Sequence, residues 1–276
     1  MNRILFSSDL HLCHVDWYGV TGEERLLRWA QQVRREHERA PIDALFLLGD
    51  YSLDHWAWKI KGSYLARGVS YAERFAKEIL PRVRELGIEV RMIAGNHEQY
   101  GDATFRALTG YDRHASALIG DFLFIFTDTF RGELDPTYHH DGVYTGIEID
   151  FVRGEMQKHP DARVILCAHW LDAARESDAA RELARNERIV CLFAGHNHRS
   201  HVGDFDGKPL FYTGNFSYSA PEGACPLASM WGFRELLLEP NRLVSRYITP
   251  ENEIEWEGKR VLHPYGVQDE GTVVLS

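Results

Sequence analysis

The chain has 276 residues, 44% of them apolar and 26% charged, the balance of an ordered globular protein rather than a disordered one. Its 31 basic and 41 acidic residues leave a formal charge of −10, which disfavours a broad electrostatic grip on nucleic acid or an anionic membrane. No apolar stretch reaches the roughly 18–20 residues that a membrane span needs. Met1–Asn2–Arg3 leads straight into a strand with no signal peptide ahead of it, so a cytoplasmic protein is expected.

In chain order, Ile4–Ser7 is the first strand-like run, followed by Asp9–Leu10–His11. Residues Gly22–Arg39 carry Leu26, Leu27, Trp29, Ala30 and Val33 at a helical period. Ala44–Leu48 reads as a buried strand that ends in Gly49–Asp50. Ser70–Glu85 is a second helical pattern, with Ser70 as its N-cap and Pro81 set to kink or break it. Gly87 stops that helix, and Val90–Ala94 precedes Gly95–Asn96–His97–Glu98. Phe122–Thr127 reads as a strand and Ile149–His159 as a helix halted by Pro160; Val164–Ala168 then delivers His169. A helix over Asp178–Arg188 precedes the strand Ile189–Ala194, which ends in Gly195–His196–Asn197–His198.

Pro209–Thr213, Trp231–Leu238 and Arg242–Ile248 look like strands joined by turns without intervening helices. A mainly parallel α/β portion followed by antiparallel strands implies a four-layer αββα sandwich, two mixed sheets flanked by helices. Without a linker, repeat or low-complexity segment, residues 1–276 are expected to form a single domain. Two long irregular stretches, Tyr51–Val69 and Arg131–Gly146, are of the kind that shape or cover a site.

Asp9, His11, Asp50, Asn96, His169, His196 and His198 therefore all follow strand ends, and parallel strands bring such ends to one rim. Asp9 and His11 are two apart, as are His196 and His198, the spacing that puts both side chains of an extended pair on one face. Imidazole nitrogen with carboxylate and amide oxygen suits Mn, Fe, Zn, Co or Ni. Cys13, Cys167, Cys191 and Cys225 show no C-x-x-C spacing and read as reduced, buried thiols, Cys13 being close enough to His11 to be weighed as a ligand.

These motifs, Asp-x-His, Gly-Asp, Gly-Asn-His-Glu, a lone His and Gly-His-x-His in this order, resemble the calcineurin-like metallophosphoesterase family over residues 1 to 216. The resemblance implies two divalent metal ions, with Mn preferred. Asp9, His11 and His198 hold one; Asp50 bridges to the other, which Asn96, His169 and His196 complete. It makes His97 the catalytic histidine that binds no metal. Two such ions clamp a phosphoryl group and activate water for attack on phosphorus, while a nearby histidine suits protonation of the leaving group. Glu98 is read either as a restraint on His97 or as a capping carboxylate.

The segment Tyr51–Ser52–Leu53–Asp54–His55–Trp56 lacks the Asp-Arg-Gly continuation of the family's protein phosphatases. The resemblance thus points to a binuclear phosphodiesterase acting on a small phosphodiester or nucleotide. The alternatives are a small-molecule phosphomonoesterase, then a DNA or RNA nuclease, which the acidic balance disfavours. A non-catalytic scaffold is disfavoured by the intact motifs. Trp17, Tyr18, Trp56, Trp58, Tyr100 and Trp170 follow these motifs, where one or two could stack on a base. Asn215 is a candidate substrate contact or turn stabiliser, and His201 and Asp54 are candidate supports for the site. His14, His55, His114, His139, His140 and His159 are read as ordinary packing or surface histidines.

Overall fold

The computed structural model describes residues 1–56, 64–132, 141–218, 230–256, 258–263 and 266–275. Trp58, His139, His140 and Cys225 lie outside them, as do parts of both long irregular stretches.

The chain opens with β1 (Asn2–Ser7), α1 (Gly22–Arg39) and β2 (Ala44–Leu48). Thr21 starts α1 by accepting a hydrogen bond from Glu24 N at 3.1 Å, with Glu23 and Glu24 in the positively polarised first turn. The next helical run is α2 (Tyr71–Arg74), a π-helical turn (Phe75–Ile79) and α3 (Leu80–Arg84). Ser70 caps it as expected, accepting from Glu73 N. Pro81 neither breaks nor ends the run; the wider turn immediately before it absorbs the missing N–H and the ring.

Then follow β3 (Glu89–Ile93), α4 (Asp102–Thr109), β4 (Ala115–Ile119), β5 (Phe122–Phe126), α5 (Ile149–Lys158), β6 (Arg163–Ala168), α6 (Asp178–Ala184) and β7 (Ile189–Ala194). The rest is β8 (Ser200–Phe205), β9 (Lys208–Thr213), β10 (Phe233–Leu238), β11 (Arg242–Thr249), β12 (Asn252–Trp256), β13 (Lys259–His263) and β14 (Gly266–Val274).

Two six-stranded sheets form, ordered β14-β11-β10-β1-β2-β3 and β4-β5-β6-β7-β9-β8, beside a β12-β13 hairpin. Within them β1, β2 and β3 are mutually parallel, and β5, β6, β7 and β9 likewise. The expectation that the last strands run antiparallel holds for β10 and β11, and β14, which was not expected, adds a further antiparallel strand beside β11. It fails for β9, which turns back from β8 and lies parallel to β7.

Alternation along the strands builds three apolar layers. Ile4, Phe6, Phe46 and Leu48 face Phe124, Phe126, Cys167 and Phe193 between the sheets, where Phe6 stacks on Phe193 at 4.1 Å. Leu5, Leu45 and Leu47 point the other way, onto Leu26, Trp29 and Val33 of α1 and Phe75 of the π turn. Leu123, Leu166 and Leu192 cover the far side against Val152 and Met156 of α5 and Ala180 and Leu183 of α6. The order helix, sheet, sheet, helix is the expected αββα sandwich. Among the described residues no helix is long and apolar enough to cross a membrane.

Candidate metal centre

Parallel strands β1, β2 and β3 of one sheet and β6 and β7 of the other end at a common rim, and all seven expected side chains meet there. The backbone bends sharply to deliver them. Asp9, His11, Asp50, His196 and His198 have φ of 54°, 47°, 54°, 67° and 54°, five of the eight non-glycine residues with positive φ among those described. Such conformations cost of order 1 kcal/mol or more each and persist only where the surroundings hold them. Glycines allow the loops to close: a Cβ on Gly95 would stand 2.1 Å from Asp50 Oδ1, and one on Gly195 2.5 Å from Ser8 Oγ.

Each carboxylate has one oxygen engaged and one turned inward. Asp9 Oδ2 accepts from the Ser8 hydroxyl and from His196 N (2.9 Å), while buried Oδ1 has no hydrogen-bond partner. Asp50 Oδ1 accepts from His97 N at 3.0 Å. Its Oδ2 lies 3.7 Å from His11 Nε2 and 3.2 Å from His169 Nε2, between the two halves of the cluster.

Two donor sets result. In one, Asp9 Oδ1 is 3.6 Å from His11 Nε2 and 3.3 Å from His198 Nε2, and those nitrogens are 3.1 Å apart. In the other, Asn96 Oδ1 is 2.9 Å from His169 Nε2 and 3.0 Å from His196 Nδ1, which are 3.3 Å apart. Carbonyl oxygens only accept, so they fix two tautomers: His169 Nδ1–H donates to Leu48 O (2.6 Å) and His198 Nδ1–H to Tyr218 O (2.7 Å). With Nδ1 committed to a carbonyl, each ring turns its Nε2 inward, the second-sphere arrangement of metal-binding histidines.

Electrostatics point the same way. Burial alone would raise Asp9, but the opposing pull of His198, His11 and His169 holds its carboxyl well below the usual range. Burial is likewise outweighed at Asp50 by His169, His97 and His11, so that carboxyl is also lowered. Against the same cost of burial, Asp50 and Asp9 push His169 up to about 9, and Asp9 raises His198. Two buried carboxylates thus favour positive charge in this pocket. An unpaired carboxylate oxygen, an amide oxygen and imidazole nitrogens a few ångströms apart are consistent with a binuclear metal site.

His97 sits beside both sets, its Nε2 3.8 Å from Asp50 Oδ2, its buried Nδ1 without a hydrogen-bond partner. Burial pushes its pKa down to about 3, with Asp50 opposing and His11, His169 and His196 adding to the fall.

A family model described as calcineurin-like phosphoesterase matches residues 2–200. The chain belongs to the calcineurin-like phosphoesterases. A dimetal phosphatase from Danio rerio resembles it over 100% of this chain and 99% of that one, with a TM-score of 0.64 at 13% identity. Purple acid phosphatase PPD1 from yellow lupin (Lupinus luteus) seeds covers 99% of this chain with 54% of its own, at a TM-score of 0.55 and 14% identity. No curated protein sequence matches. At these identities the likeness is one of fold.

Within this family member, residues around the centre take roles that sequence reasoning left open or missed. Glu98 does not restrain the His97 ring. Its carboxylate accepts from Asp50 N (2.8 Å), Ser52 N (2.8 Å), Ser52 Oγ (2.9 Å) and Gly95 N (2.9 Å), joining the loops after β2 and β3. Asp54 caps α2 through Tyr71 N and Ala72 N. Asn215 is a turn residue: its Oδ1 accepts from Ser217 N (2.9 Å) and its Nδ2 donates to His198 O (2.8 Å). His201 stacks on Tyr212 at 4.1 Å, and Cys13 is buried outside the donor groups.

Two arginines went unnoticed. Buried Arg25 of α1 donates to Leu10 O, His11 O (3.1 Å) and Phe216 O (2.7 Å). Buried Arg113 pairs with Asp128 and donates to Glu98 O (3.0 Å), Tyr100 O and Phe130 O (2.9 Å). The signal for Arg25 lay in its place one turn before Trp29, on the apolar stripe of α1.

Proposed function

We propose that the protein is a binuclear metal-dependent phosphohydrolase that cleaves a small phosphodiester. The observation that carries this reading is the pair of donor sets meeting at Asp50 Oδ2. Asp9, His11 and His198 would hold one divalent ion, Asn96, His169 and His196 the other, with Asp50 between them; Mn is the preferred metal, with Fe, Zn, Ni or Co able to substitute. When bound, such a pair supplies Lewis-acid polarisation of phosphoryl oxygens and an acidified water.

The chain's own residues do the rest. Leu48 O and Tyr218 O lock His169 and His198 in the tautomers that face inward. His97 holds its ring where Nε2 reaches the same space as Asp50 Oδ2, placed to carry a proton to the departing oxygen. Its ring is neutral in the free protein, and an arriving phosphate anion favours the protonated form.

A diester is favoured over a monoester by the engagement of the two buried arginines beside the centre. Arg25 and Arg113 turn their guanidinium groups onto backbone carbonyls and Asp128, and neither is committed to a phosphate. A singly charged diester needs less compensation than a doubly charged monoester. Residues 1–276 are read as one such domain, with β10, β11 and β14 extending the sheet that holds β1.

The test is hydrolysis by Mn-reconstituted protein of bis-p-nitrophenyl phosphate against p-nitrophenyl phosphate. Higher kcat/KM on the diester supports the reading. Metal-replete protein inert on both removes it.

A further inference from the structure

The aromatic residues that follow the motifs separate into two kinds once their neighbours are known. Tyr100 is buried, with its hydroxyl on Asp54 and its ring against His55. Tyr18 packs edge-on against Trp231, and Trp56 lies against Tyr64. Trp170 stacks on His196 at 4.5 Å and carries the Arg175 guanidinium 4.8 Å from its ring centre, so its faces are engaged by protein. Trp17 and Tyr218 differ, because together they form a wall over the His11 and His198 half of the centre.

Tyr218 lies 4.7 Å from the His198 ring and 5.9 Å from that of His11, yet 37% of it is exposed. Trp17 backs it at 4.9 Å, with its own edge contact to His11 at 6.4 Å. The wall is built in advance rather than loosely attached. Trp17 and Val20 exchange backbone hydrogen bonds of 3.1 Å across Tyr18 and Gly19, whose φ of 55° and 71° match the tight hairpin turn with two left-handed residues. Arg25, fixed by three carbonyls, sits 4.8 Å from the Trp17 ring centre. The Tyr218 segment is anchored through Phe216 N to Asp9 O (3.2 Å) and Tyr218 O to His198. A partly exposed aromatic surface held by these contacts beside the candidate metal centre loses little entropy when a flat group settles on it.

We propose that the partly exposed Tyr218 ring, backed by Trp17, is a stacking platform for a planar group of the substrate, so that the preferred diesters carry a nucleobase or an aromatic ring of similar size. This deepens the phosphodiesterase reading and rests on it. Stacking of a base on an aromatic side chain is sequence-tolerant, so the platform selects planar over aliphatic substituents without choosing among bases.

Two measurements on the full-length, metal-loaded protein keep this proposal separable from the reading beneath it. Calorimetry compares binding of adenosine 5′-monophosphate with ribose 5-phosphate, which share the phosphate and sugar but not the base. Steady-state kinetics compares bis-p-nitrophenyl phosphate with methyl p-nitrophenyl phosphate. The wild type should favour the planar member of each pair by about tenfold. Tyr218→Leu should lose that preference, and Tyr218→Phe, which keeps the ring, should retain it. Equal affinity for both monophosphates in the wild type overturns the platform, as does a preference that survives Tyr218→Leu. Should both diesters resist hydrolysis while the base-dependent binding persists, the phosphodiesterase reading fails and the platform stands.

Discussion

His11 Nε2 and His198 Nε2 lie 3.1 Å apart. His198 Nδ1 donates to a carbonyl, which turns its Nε2 toward another ring nitrogen, beside an Asp9 oxygen with no hydrogen-bond partner. A cation among these three atoms would take the Asp9 oxygen and both imidazole nitrogens as ligands. Asp9→Ala should therefore remove one metal of the pair selectively, lowering the bound-metal stoichiometry at limiting supply. Unchanged stoichiometry would remove Asp9 from the ligand set.

His97 tests the division between binding and chemistry. It is assigned a proton and no metal, so His97→Ala should keep both ions and lose about a hundredfold to ten-thousandfold in kcat. The deficit should narrow with leaving groups as acidic as p-nitrophenol, which depart without a proton. Loss of metal in this variant would make His97 a ligand instead.

Glu98 holds the loops together rather than acting on substrate. Burial, then the charge of Asp50, pushes its pKa up to about 8 against the pull of the Gly95 and Ser52 hydrogen bonds. Glu98→Ala would leave the buried N–H groups of Asp50, Ser52 and Gly95 without their acceptor, at roughly 1–3 kcal/mol each. A destabilisation of at least about 3 kcal/mol is expected in chemical denaturation, together with weaker metal binding. A loss under about 1 kcal/mol would show the carboxylate to be dispensable.

The close approach of the loops after β1 and β7 is tested at Gly195. A methyl there would meet Ser8 Oγ at 2.5 Å and Asp9 Oδ2 at 2.9 Å. Gly195→Ala should weaken metal affinity by about tenfold or more through displacement of Asp9, in the range seen when supporting groups of a metal site are changed. Wild-type affinity would mean that the loop yields at little cost.

His55 supplies a pH dependence away from the donor sets. Burial lowers its pKa to about 4, against a hydrogen bond to His97 O and with Arg113 adding to the fall. Its folded pKa is below the unfolded value, so the unfolded chain binds the extra proton first. The stabilisation is complete above about pH 6.5 and is lost as pH falls toward 4, about 3 kcal/mol in all. Proton NMR should find the His55 ring neutral at pH 5.5; a midpoint near 6.5 would contradict the burial argument.

Much of this molecule could be read from the chain because its signals are local. Each inward side chain follows a short buried strand, and α1 keeps its expected bounds of Gly22–Arg39 because Thr21 and the Leu26–Trp29–Val33 stripe define it. The short helix α4 and the β12–β13 hairpin were not anticipated, and much else that escaped was nonlocal. β8, Ser200–Phe205, is an edge strand with two exposed residues, His201 and Val202, at its centre, and β14, Gly266–Val274, includes charged Asp269 and Glu270; both form by pairing with β9 and β11. Arg25 and Arg113 are charged residues whose burial depends on carbonyls far along the chain, and the placement of Tyr218 depends on His198. The π turn before Pro81 shows a helix accommodating proline by widening, which no spacing rule anticipates.

Metal content of the reconstituted protein tests the central claim most directly. Elemental analysis after loading with Mn and removal of excess should find two ions per chain in the wild type, and at most one in Asp50→Ala, because that carboxylate is proposed to serve both ions. A wild type that saturates at one ion, or an Asp50→Ala variant that retains both, would contradict the account.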